Sequence, residues 1–151
     1  MGPGTSQTQM IERELRIDAN PETVFEFFTN PDKMVRWKGR AATLDPRPGG
    51  VYRIEMNAET IVAGEYVEVD PPHRLVFTWG WEGGYASTPP GSSTVEITLT
   101  PDGDGTLVRL VHSGLPNAES VAAHADGWDM YLGRLSIAAA GGDAGPDPND
   151  K

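Results

Sequence analysis

Residues 117–140, NAESVAAHADGWDMYLGRLSIAAA, constrain this chain more than any other stretch. Val121, Ala125, Trp128, Leu132, Leu135 and Ala139 recur at alternating steps of four and three, which aligns them along one side of an α-helix. His124, Gly127 and Tyr131 widen the stripe on one flank. Asn117 is a good N-cap, and Glu119 places an anion in the first turn, where the helix dipole favours it. Gly141 and Gly142 end the helix. A helix of this kind must bury its face against a broad partner, and the rest of the chain offers mostly strands.

The 151 residues suffice for one domain with its own core and are too few for two typical ones. Apolar residues make up 38%, enough for a globular protein. The absence of cysteine removes disulfide and thiolate chemistry and suits a reducing compartment, so a cytoplasmic location is expected. No apolar run approaches the ~20 residues of a membrane-spanning helix. Residues 1–9 lack the basic and apolar regions of a signal peptide, and are expected to be disordered. A net charge of −10 repels a phosphate backbone, which sets nucleic acid aside as a partner.

From Met10 to Asp18 the sequence alternates, with Ile11, Leu15 and Ile17 on one face. Arg13 shares that face and needs a partner or a polar cavity. Asn20-Pro21 opens a helix rich in phenylalanine, and Asn30-Pro31 opens a second, short one over PDKMVRWK, closed by Gly39. Strands follow at about 40–45, 51–56, 61–69, 74–81, 94–100 and 106–112, separated by turns such as DPRPGG at 45–50 and DGDG at 102–105. Leu75, Phe77, Trp79 and Trp81 share one face of their strand, and Val108, Leu110 and His112 one face of theirs. Residues 82–93, EGGYASTPPGSS, form a long loop that could lie as a lid over a cavity mouth. Residues 141–151 look like a disordered acidic tail. The sum is an α+β chain: a strand, two short helices, an antiparallel meander, and a long helix. Such a sheet twists and curls, and the long helix is the element able to fill its concave face.

Several segments then resemble a known superfamily. IDANPETVFEFFTNPDKMVRWKG is similar to the opening of SRPBCC (START/Bet v-like) proteins. GEYVEVDPPHRLVFTWGW, GTLVRLVHSGLP and HADGWDMYLGRL resemble one branch, the homologues of the C-terminal domain of the heat-shock protein 90 ATPase activator. The resemblance covers about residues 10–138. It implies the helix-grip fold: a curved seven-stranded antiparallel sheet wrapped around the C-terminal helix, with two short helices after the first strand and a pocket between sheet and helix. It places a single domain at 10–140. Members of the superfamily bind lipids, hormones or polyketides, and a few catalyse cyclisation or dehydration.

The candidate pocket residues are Trp37, Phe77, Trp79, Val108, Leu110, His112, Gly127, Trp128 and Tyr131. Aromatics with a few placed polar groups are what apolar pockets use, although cores use aromatics as well. His112 is the candidate acid/base or ligand hydrogen-bonding group; its alternative role is structural, at the strand end. Gly127 signals either close packing or space for a ligand. Arg53 and Glu65 are further charges that the strand parity could turn inward. His73, His112 and His124 have no metal-ligand spacing, and Glu82 and Asp126 form no marked catalytic pair, so no metal and no cofactor are expected. The first functional reading is a non-catalytic binding protein for a small apolar or aromatic ligand, lipid or polyketide-like. The alternatives are a polyketide cyclase/dehydratase-like enzyme with His112 as acid/base, or an interaction module in contact with a chaperone. A monomer or weak homodimer fits each.

Overall fold

The computed structural model describes residues 10–83 and 88–148. The expected disorder of residues 1–9 lies outside the described residues. So do residues 84–87 of the expected lid and residues 149–151 of the tail.

Strand β1 (Ile11–Ile17) is followed by helices α1 (Pro21–Thr29) and α2 (Pro31–Met34). Then come β2 (Ala41–Leu44), β3 (Val51–Glu55), β4 (Ile61–Asp70), β5 (Arg74–Trp79), β6 (Ser93–Asp102), β7 (Gly105–Ser113) and the long helix α3 (Ala118–Ala139). The seven strands form one antiparallel sheet in the order β1-β7-β6-β5-β4-β3-β2. Six strands are thus a simple meander, and β1 joins its far edge by pairing with β7. The helix-grip architecture is the one expected.

Local chemistry explains the helix starts. The Asn20 side chain accepts from Thr23 N at 2.8 Å, with Pro21 behind it at the first helical position. Asn30 caps α2 in the same way, accepting from Asp32 N and Lys33 N. Asn117 caps α3 through Ser120 N. The second helix is shorter than its apolar spacing suggested. Beyond Met34 the bonds shift to residues three apart, Arg36 N to Lys33 O and Trp37 N to Met34 O, and this tighter winding ends α2 as a turn.

The core joins Val24, Phe25, Phe27 and Phe28 of α1 to the inner faces of the sheet and to Trp128, Leu132 and Leu135 of α3. The buried face of α3 is rotated from the expected stripe. Ser120, His124, Trp128 and Tyr131 are buried, whereas Val121 and Ala125 are only half-buried. Polar side chains are on this face because each finds a partner inside. Arg13 does point towards the helix, and its guanidinium meets Asp129 at 2.6 Å. Arg53 and Glu65 face outward; Arg53 pairs with Glu82 and Glu65 is exposed.

The expectation of a disordered tail fails for residues 141–148. Arg134, buried on α3, donates from Nε to Trp37 O at 2.9 Å and from its two terminal nitrogens to the carbonyls of Ala144, Gly145 and Pro146. Asp147 accepts from Tyr131 Oη at 2.8 Å and from Gly39 N at 2.8 Å. A Gly- and Pro-rich acidic segment has no core of its own to bury, but here α3 supplies the donors that fix it.

Replacing Arg134 by Met keeps most of the apolar volume and leaves four carbonyls without that donor. The unfolding free energy should fall by about 2–4 kcal/mol in urea titration. A change under about 0.5 kcal/mol would show that Arg134 does not anchor the tail.

Candidate functional site

The turn after α2 delivers an unexpected residue to the centre of the molecule. Lys38 N bonds to Met34 O, which sets Lys38 one helical turn beyond the buried Met34, facing the same way. Trp37 beside it donates from Nε1 to Phe27 O at 2.9 Å and accepts from Arg134 at its carbonyl. Gly39 follows with φ +81°, a conformation open to glycine; a Cβ there would lie 2.5 Å from Ile54 Cγ2. The Trp37–Lys38–Gly39 segment is therefore held on both sides, and the Lys38 side chain is only 1% exposed.

Its ammonium site is surrounded by aromatic rings. Nζ lies 4.1 Å from the ring centre of Trp79, 4.6 Å from that of Trp128, 5.4 Å from that of Trp37 and 6.0 Å from that of Tyr52. Among the described residues it has no hydrogen-bond acceptor, and neither do Tyr52 Oη and Trp79 Nε1. Burial holds the Lys38 pKa well below the ordinary lysine value, opposed in part by the Asp147 carboxylate. Indole faces favour the cation by ~2 kcal/mol when desolvated, but the effective cost of burying an ion is several kcal/mol, so desolvation prevails.

Of these rings, Trp79 and Trp128 border a cavity of about 230 Å3 between the sheet and α3. Lys38, Met56, Trp79, Trp81, His124, Trp128 and Tyr131 form its buried wall. The half-buried Asn57 and Thr60 of the β3–β4 turn, with Ala123 and Gly127 of α3, form its rim. At Gly127 a Cβ would meet nothing within 4 Å. Of the two explanations for this glycine, close packing is excluded and open space remains.

Two histidines support the wall, His124 as part of it and His112 outside the lining, each committed to internal bonds. Trp128 Nε1 donates to His112 Nδ1 at 3.0 Å, so the His112 proton is on Nε2, which faces Ser93 Oγ at 2.9 Å; Ser93 in turn donates to Trp79 O. His124 accepts from Trp81 at Nε2 and donates from Nδ1 to Ser120 O. Burial, with help from His124 and Lys38, lowers the His112 pKa to about 3. Burial also lowers that of His124. Both rings are neutral orienting groups for the cavity tryptophans.

Of the residues expected in a pocket, Trp79, Gly127, Trp128 and Tyr131 line the cavity. Trp37, Phe77, Val108, Leu110 and His112 do not. All five are buried; for Phe77, Val108, Leu110 and His112, strand parity reports the inner face without distinguishing core from cavity wall. His112 fails as a neutral-pH acid/base for the reasons of burial and bonding given above. His73, Glu82 and Asp126 are exposed, and no group of three metal-ligating residues occurs among the described residues. The described ends of the 82–93 loop are fastened: Trp81 N bonds to Thr88 O, and Thr88 Oγ1 meets Ser120 Oγ at 3.0 Å. Lys38 escaped the sequence reading although a signal existed, since a spacing of four from Met34 puts it on the apolar side of the turn.

Comparison with known proteins agrees with this architecture. The family described as Activator of Hsp90 ATPase homolog 1-like protein matches residues 18–140. An AHSA1-like protein of Rhizobium etli, solved by NMR, is 47% identical with a TM-score of 0.73, covering 92% of this chain and 86% of that one. CalU16 from Micromonospora echinospora is 28% identical in its crystal structure, with a TM-score of 0.70, over 87% of this chain and 76% of that one. DynU16, from the dynemicin biosynthetic locus, is 25% identical with a TM-score of 0.76, over 92% of this chain and 50% of that one. An uncharacterized protein of Schizosaccharomyces pombe is 24% identical over 127 residues, and the chain spans 35% of its length. No helix among the described residues is long and apolar enough to cross a membrane.

The histidine arrangement has a pH signature. The folded pKa of His112, about 3, lies below its ordinary 6.5, so the unfolded chain binds more protons between those values. Its contribution to stability is complete above pH 6.5 and is lost as pH falls towards 3, by up to ~1.4 kcal/mol per pH unit. Imidazole nitrogen shifts should show His112 neutral and Nε2-protonated at pH 5. A midpoint near 6.5 would contradict the arrangement.

Proposed function

We infer the function from one premise: this chain belongs to the family of Activator of Hsp90 ATPase homolog 1-like proteins. We propose that it binds a small molecule with a flat, apolar or aromatic body in the cavity between the sheet and α3. The observation that carries this reading is a space of about 230 Å3 walled by three indoles and a phenol. The orphaned Lys38 Nζ at its wall, with Trp79 Nε1, supplies donors that a ligand acceptor would satisfy. Gly127 supports it independently. A mid-helix glycine costs ~1 kcal/mol relative to alanine, and here it gains no packing in return, so what it preserves is room.

The volume is below the ~300–1,000 Å3 usual for ligand pockets. It suits one or two fused rings better than a lipid with long chains. A cyclase or dehydratase would need an acid/base free to exchange protons, and both buried histidines are already engaged. A chaperone contact draws its support from the family's name.

A screen of mono- and bicyclic aromatics by NMR should perturb the indole N–H signals of Trp79, Trp81 and Trp128. Gly127→Leu, which fills the rim, should weaken binding at least tenfold while leaving the fold intact. Shifts confined to other surfaces, or a Gly127→Leu protein that binds as well as the wild type, would sink the proposal.

A further inference from the structure

Lys38 has a primary amine, no acceptor among the described residues, and a place in the wall of an aromatic cavity. Among the described residues Nζ forms no hydrogen bond that a methionine would forfeit. The groups around it narrow the choice of ligand chemistry. His112 and His124 are neutral, and the Asp147 carboxylate is bonded to Tyr131 and Gly39 instead. The chain as a whole carries −10, which disfavours the approach of an anion to a site with little positive charge of its own. An uncharged acceptor suits the site better than a carboxylate. The uncharged acceptor that an amine can also bond covalently is a carbonyl.

We propose that Lys38 is an imine-forming site for neutral aromatic aldehydes or ketones, seated in the cavity with their ring against Trp79 and Trp128 and their carbonyl carbon at Nζ. This deepens the binding reading above and rests on it. In the step, the Nζ lone pair attacks the carbonyl carbon and the carbonyl π pair moves to oxygen. The two amine hydrogens leave with that oxygen as water, and a carbon–nitrogen double bond joins ligand and lysine. No oxidant, reductant or metal is consumed. The lowered Lys38 pKa favours the unprotonated amine this requires, as in other lysines desolvated in apolar pockets. Because the tip of Lys38 is enclosed, one of the flanking indoles must shift before the carbonyl arrives.

The chain makes the test clean, since it has three lysines, Lys33, Lys38 and Lys151. The full chain is incubated at pH 7 with 2-naphthaldehyde and sodium cyanoborohydride, and the trapped amines are mapped by peptide mass spectrometry. Binding of 2-naphthalenemethanol, which cannot form an imine, is followed in parallel by the indole N–H signals. One naphthylmethyl group should appear on Lys38 at least tenfold faster than on Lys33, Lys151 or the N-terminal amine. Lys38→Met should lose that adduct, and Gly127→Leu should slow labelling. If the alcohol binds but Lys38 labels no faster than Lys33, imine formation is overturned and the binding reading stands. If neither the alcohol nor the aldehyde engages the cavity, both fall. The wild-type result decides the matter even if Lys38→Met does not fold.

Discussion

Arg134 sits one turn beyond Tyr131 on α3, buried, and directs its guanidinium at four carbonyl oxygens. One belongs to Trp37, the others to the chain beyond the helix. A cation with these neighbours satisfies its donors, which is why it tolerates burial. The consequence is felt at the next residue. With Trp37 fixed by its indole at Phe27 and its carbonyl at Arg134, and Gly39 fixed by Asp147, the Lys38 side chain can only run inward. A lysine in a free turn would swing to water and keep its charge. The arginine thus sets the position of a second basic side chain that, unlike it, has no acceptor among the described residues.

The two buried bases show how burial divides roles. Arg134 has its guanidinium bonded to four carbonyls. Lys38 is pushed towards the neutral amine because burial against ring faces desolvates it. His112 and His124 occupy a third condition, neutral with both ring nitrogens engaged. Their function is orientation: each fixes an indole, Trp128 or Trp81, whose ring forms cavity wall. Polar groups with complete partners hold the shape of a site, and groups without them are where a ligand has something to gain.

Sequence reading reached the fold because its signals are local. Asn-Pro pairs cap helices, DGDG turns a hairpin, and alternation assigns strand faces, each within a few residues. Even the parity that put Arg13 beside the helix was correct, since Asp129 waits there. The site was half legible. Trp79, Gly127, Trp128 and Tyr131 emerged from periodicity, whereas Phe77, Val108 and Leu110 share the same parity yet lie buried outside the cavity lining. Which inward residues face space depends on where the sheet and helix diverge, and that is a property of the whole assembly. Lys38, Arg134 and the docked tail stayed hidden for a related reason. Their burial depends on partners up to 108 residues away, such as Asp147 for Gly39, and composition alone makes each look like surface.

The tail bears on how the cavity is kept. Asp147 joins Tyr131, a cavity residue on α3, to Gly39, the neighbour of the cavity lysine. One carboxylate therefore spans two walls of the same space. A cavity in a small domain costs packing, because lining atoms lose dispersion partners on one side. Collapse would need α3 to move towards the sheet or Trp128 to fill the gap. The Asp147 and Arg134 ties resist the first, and the His112–Trp128 bond resists the second. Three polar ties thus act against the closure that apolar packing alone would favour. Their common effect is to keep open the space beside Gly127, where the helix itself contributes no side chain.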